Sequence, residues 1–163
     1  MRAILEKISS YNIFNFLLPG TVFAFVSDQF TDTEFVQDDL LIAVFVYYFL
    51  GLLISRVGSL VVEPALKRIG FISFSDYVDF VRASKIDPML TTLSEVNNTF
   101  RTLISLSLFA IGTIGYDRLA ARSSGFSTYA PYVLLILILA VFLFAYRKQT
   151  AYITKRVGEA KSS

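Results

Sequence analysis

Two stretches of this chain, Leu40 to Ser55 and Pro131 to Tyr146, each run for sixteen residues without a charged side chain. Hydrocarbon offers no water to backbone N–H and C=O groups, so a segment that enters it must close its hydrogen bonds internally. A helix does this and an open strand does not. With two weaker apolar runs, they predict an all-α fold. It is a four-helix transmembrane bundle with spans at about residues 8–26, 40–62, 100–116 and 129–146. An ideal helix rises about 1.5 Å per residue, so sixteen residues cover about 24 Å of a ~30 Å core. Flanking Tyr, Ser and snorkelling Arg supply the remainder.

Composition narrows the function classes. Hydrophobic residues make up 55% of the 163, yet 15 Lys and Arg and 13 Asp and Glu remain for the segments between spans. The absence of Cys and His removes disulfides, thiol nucleophiles, the commonest general base and the commonest metal ligand. No Gly-rich phosphate loop is present, and the acidic residues near the predicted inner surface lack a histidine partner. The reading is therefore a single membrane domain, residues 1–163, that is not an enzyme and has no catalytic residues, metal site or cofactor. Residues 1–80 and 81–163 show no similarity of the kind that repeat-built transporters carry. Binding to duplex nucleic acid is not expected.

Loop charge sets the expected topology. The segment Asp28 to Asp39 contains Asp28, Asp32, Glu34, Asp38 and Asp39 and no cation, which marks an outside loop. Lys67, Arg68, Arg82 and Lys85 in the middle segment, and Arg147, Lys148, Lys155, Arg156 and Lys161 near the end, place those parts in the cytoplasm. Both termini are then expected to face the cytoplasm in a multi-pass protein, with the bilayer as its first partner. Arg2 and Lys7 ahead of the first apolar run imitate a signal peptide, but no small-x-small cleavage site follows Phe25.

Residues 63–99 are patterned as a helical cytoplasmic extension between the second and third spans. Ser73 followed by Asp76 matches a capping box, and Tyr77, Phe80 and Val81 then share one helical face. Asp87-Pro88 is a strong helix start, since the carboxylate caps free amides and proline sits where its missing N–H is harmless. The stripe Met89, Leu93, Val96 and Phe100 continues into the third apolar run, so one helix is expected from Pro88 to about Leu119.

Polar residues at membrane depth are the candidate sites. Ser55, Arg56, Ser59 and Glu63 recur along one face of the second span, and Glu95, Asn98, Arg101, Thr102 and Ser105 along one face of the third helix. Ionisable groups at this depth pair with one another, so Arg56 with Glu95 or Glu63 with Arg101 are the expected partners. Asn12 and Asn15 in the first span precede Pro19-Gly20, which should interrupt that helix. These residues, Thr102 apart, are candidates for a pore, a gate or helix contacts. Gly51, Gly58, Gly112 and Gly115 add positions for close helix approach. The fourth span has no polar side chain between Val133 and Ala145 and is expected to face lipid, away from function.

The string Tyr11-Asn12-Ile13-Phe14-Asn15-Phe16-Leu17-Leu18-Pro19-Gly20, with Ile54 to Ser59, Glu63-Pro64, Asp76 to Phe80, Ala83-Ser84-Lys85, Leu93 to Asn98 and Arg101-Thr102, resembles a family of small four-span bacterial membrane proteins associated with antiphage defence. The resemblance implies a bacterial inner membrane as the location, and one of two roles. One is the membrane effector of a nucleotide-signalling system such as Hailong, in which an oligomer opens an ion channel and depolarises the infected cell. The other is a non-conducting membrane sensor or scaffold that recruits a cytosolic effector protein, as in Kiwa-type systems. Four short spans cannot enclose a pore alone, whereas a ring of subunits can, so a homo-oligomer is expected. Arg68, Arg82 and Lys85 are then candidate contacts for a phosphate-bearing signal, together with Arg101.

Overall fold

The computed structural model describes residues 13–32, 34–121 and 124–162, and every regular element among them is helical. A π turn, Ile13–Leu17, leads into α1 (Leu18–Phe30). Helix α2 (Leu40–Val57) continues through a second π turn, Gly58–Val62, into α3 (Glu63–Arg68). Then come α4 (Tyr77–Ile86), α5 (Met89–Ala120) and α6 (Ser124–Ser162). Three helical stretches are long and apolar enough to cross a membrane: Leu40–Arg68, Met89–Ala120 and Tyr132–Lys155. The described part of the first helix is shorter and packs inside, against α2 and α5. Asn12 and the start of the expected first span lie outside the described residues.

Acidic caps start three of these helices. The Asp39 carboxylate accepts from the N–H groups of Leu41 and Ile42 at 2.8 and 3.1 Å. Asp87 accepts from Met89 at 2.9 Å, as the Asp-Pro pair predicts. At α4 the capping box expected from Ser73 gives way to a simpler cap, because Asp76 itself accepts from Val78 N–H at 2.8 Å. Helix α5 runs as one rod through the segment expected to span at 100–116. At about 1.5 Å per residue its 32 residues measure about 48 Å. Its polar N-terminal turns meet α4, which also contacts α6, with Val81 buried beneath and the Tyr77 ring 5.2 Å from Tyr152.

Close backbone approach fixes the α1–α2 crossing. A side chain on Gly20 would overlap the Tyr47 carbonyl, and one on Gly51 would overlap the Phe16 carbonyl. The two glycines therefore let the helices touch backbone to backbone. The interruption expected at Pro19-Gly20 takes the form of the π turn just ahead of proline, where the missing N–H breaks the regular ladder. Phe23, Ile54 and Leu106 form the core of α1, α2 and α5, and Phe35 folds back from the acidic loop to stand 5.4 Å from Phe23. At this end the Asp32 N–H also reaches Asp117 Oδ1 at 3.4 Å.

Helix α6 stands apart. None of its apolar run is buried in the chain, which suits a lipid-facing helix. Its contacts are a tilted ring pair of Phe142 with Phe49 at 6.1 Å and, further along, Lys148 and Tyr152.

Candidate functional site

The site grows from a local defect in one helix. Across the second π turn, Glu63 N–H donates to the Gly58 carbonyl, one residue further back than in an α-helix. The Ser59 carbonyl is thereby passed over, and the next amide in the same register belongs to Pro64, which has no N–H. A carbonyl left bare inside a helix needs another donor. Lys148 of α6 supplies it: its Nζ donates to Ser59 O at 2.6 Å and to Ser59 Oγ at 2.8 Å.

The same turn delivers Glu63 to the helix interface, where the residue is only 7% exposed. Its carboxylate gathers cations from three helices. Arg101 Nη1 of α5 lies 2.6 Å from Oε2, Lys67 Nζ of α3 lies 2.9 Å from Oε1, and Lys148 Nζ lies 3.8 Å from Oε1. A carboxylate so placed needs this company, since a buried charge without partners is heavily penalised. The cations outnumber it. Lys148 is attracted by Glu63 but repelled by Arg101, Lys67 and Arg56. The Arg101 Nε is buried with no acceptor among the described residues. Lys67 also lies 4.3 Å above the Phe74 ring.

One turn further into the bundle the polarity is neutral. Thr102 Oγ1 stands 2.9 Å from the Asn98 carbonyl and 3.2 Å from both Ser55 Oγ and Asn15 Oδ1, joining α5, α2 and the first π turn. Ser105 Oγ donates to the Ile54 carbonyl at 2.8 Å. Gly58 makes room for this contact, because a Cβ there would lie 3.3 Å from both Arg101 O and Ser105 Cβ.

Thus Asn15, Ser55, Ser59, Glu63, Asn98, Arg101 and Ser105 converge on one seam, and of the two expected ion pairs it is Glu63 with Arg101 that forms. Arg56 flanks the cluster half-buried, while Glu95 lies further out on α5, its carbonyl accepting from Thr99 Oγ1. Arg68, Arg82 and Lys85 lie exposed on α3 and α4, outside the seam. Gly112 and Gly115 meet nothing within 4 Å, so Ser105 alone provides the small-residue contact expected of the third helix.

Sequence reasoning missed Lys148, Lys67 and the central place of Thr102. It also set aside the last helix, which supplies the cation that closes the site. The signals were present: Lys67 follows Glu63 by four residues, Pro64 strips a donor from the turn before it, and Lys148 comes two residues after a charge-free run. Comparison with family models, curated proteins and solved structures finds no match.

Proposed function

We propose that this chain is a switchable effector of a bacterial inner membrane. In this reading it is a homo-oligomer held closed by the Glu63 clasp, and a cytoplasmic signal releases the clasp and opens an ion pathway between subunits. The observation that carries the reading is one buried carboxylate shared by Lys67, Arg101 and Lys148 from three helices. Such a network has two low-energy conditions, fully paired or fully hydrated, and a ligand that favours one shifts the population. Orientation follows from charge: the clasp end holds the cations of α3, α4 and α6, and the acidic segment lies at the opposite end, so the clasp faces the cytoplasm. A first helix with Asn15 beside the clasp and Phe30 near the acidic segment supports four spans with both termini inside. The sequence resemblance supplies the setting, depolarisation during antiphage defence.

A second reading, a non-conducting sensor or scaffold for a cytosolic protein, is favoured by one specific observation. Asn15, Ser55, Thr102 and Ser105 spend their polar groups on each other within a single bundle, so a conduction path would need other walls. Liposomes loaded with a potential-sensitive dye separate the two. Conductance that is silent in the wild-type protein and appears in Glu63→Gln supports the gated channel. Silence in both, with a cytosolic protein captured stoichiometrically, supports the sensor and overturns the channel.

A further inference from the structure

The cations around Glu63 outnumber the acids that meet them among the described residues. Lys67, Arg101 and Lys148 surround one carboxylate, Arg56 adds its charge near Lys148, and among the described residues Glu63 is the acid whose attraction reaches Lys148. Both Glu63 oxygens are already engaged. Yet these cations are not sealed off, since the Lys67 side chain is 43% exposed and those of Lys148 and Arg101 are 26% and 20% exposed.

Depth decides what meets them. The charge-free run of α2 ends at Ser55 and that of α6 at Tyr146, and the contact between Ser59 and Lys148 sets these two ends side by side, so in the membrane reading both helices leave the apolar zone at one level. That level is where phospholipid headgroups lie. Beside it, Val61, Leu143 and Phe144 are exposed at 57 to 60% and offer apolar walls on which acyl chains can rest. A phosphate there is attracted by several cations and repelled by one carboxylate that is already paired.

We propose that the cationic surface where α6 meets the second π turn binds the headgroup phosphate of an anionic phospholipid, with Lys67 and Arg56 as its outer contacts. The inference rests on the membrane reading but not on conduction. The bound lipid neutralises the surplus charge and thereby becomes part of the clasp.

The test is reconstitution of the full chain in vesicles of phosphatidylcholine alone or mixed with phosphatidylglycerol. It is followed by mild detergent extraction, measurement of retained phospholipid and a thermal melt. Phosphatidylglycerol should be retained and should raise the melting temperature, while phosphatidylcholine does neither. Retention should fall about fivefold for each charge removed by Arg56→Gln and Lys67→Gln, and stay unchanged in the control Lys85→Gln. Equal retention of the two lipids, or a loss shared by the control, overturns the proposal. So does glycerol phosphate stabilising the detergent-solubilised protein as strongly as the lipid, which would indicate a soluble anion. Should the variants not fold, the wild-type comparison decides: a melting temperature indifferent to phosphatidylglycerol overturns the site. Lipid retention by a protein that never conducts would leave this proposal standing and remove only the channel.

Discussion

Helices α2 and α6 each contain a long apolar run without a charged side chain, and the fold uses them in opposite ways. Helix α2 is the axis of the bundle, with Ala43, Gly51, Leu53, Ile54 and Ser55 buried against α1 and α5. Helix α6 keeps its apolar run on the outside and is attached through Phe142, Lys148 and Tyr152. Hydrophobicity cannot distinguish them, because lipid tails are as apolar as leucine and give two helices no reason to associate. Association in a membrane comes from close backbone packing and from polar side chains that need partners. Helix α2 and the π turn that continues it have Gly51, Ser55, Gly58 and Ser59, while α6 has no polar side chain from Val133 to Ala145.

This difference is open to attack by substitution. The largest effect is expected at the α1–α2 crossing, where Gly51→Leu forces side-chain atoms into the Phe16 carbonyl. We expect a loss of more than about 4 kcal/mol and no monodisperse protein in detergent, whereas Gly112→Leu, which meets open space, melts like the wild type. Glu63→Gln leaves Lys67, Arg101 and Lys148 facing one another and should destabilise by about 3 kcal/mol. Adding Arg101→Gln should then cost less than it does alone, and strict additivity in a double-mutant cycle would sink the shared network. Lys148→Met re-exposes the Ser59 carbonyl and should lower stability by about 1.5 kcal/mol. Hydrogen exchange in that variant should quicken around Tyr152 while the Phe23 core stays protected. Thr102→Val removes the hydroxyl between Asn15 and Ser55 and should cost about 1 kcal/mol by thermal melting. The smallest effect belongs to Leu137→Ala on α6, under about 0.5 kcal/mol; a larger one would mean that a second subunit covers this face.

Much of the fold is legible in the residues. The charge-free runs mark the helices, Asp87 marks the start of α5, and the stripe from Met89 predicts its length. Depth narrows the ion pairs to Arg56 with Glu95 or Glu63 with Arg101, because each group needs an opposite charge at the same level, and the packing selects the second. What stays hidden is the phase of the helix between Val57 and Glu63. A π turn carries more residues per turn than an α-helix, so every residue after it faces another way than a regular wheel predicts. That shift brings Glu63 inward and bares the Ser59 carbonyl, and without it Lys148 has no visible target. Ser73 misleads for a related reason: two side chains compete to cap α4, and the nearer Asp76 wins.

Order of synthesis gives the Glu63 clasp a meaning beyond its finished geometry. Glu63 leaves the ribosome 38 residues ahead of Arg101, and Ser59 leaves it 89 residues ahead of Lys148. During that interval the carboxylate has one neighbour within reach, Lys67, one turn along the same helix. That local pair answers the charge of the second apolar helix before the distant cations are made. Of the distant cations Arg101 is made first, and Lys148, the donor to the Ser59 carbonyl, comes with the last helix. A nascent chain that stops before Lys148 would show its incompleteness as a bare Ser59 carbonyl beside an acid already paired with Lys67 and Arg101.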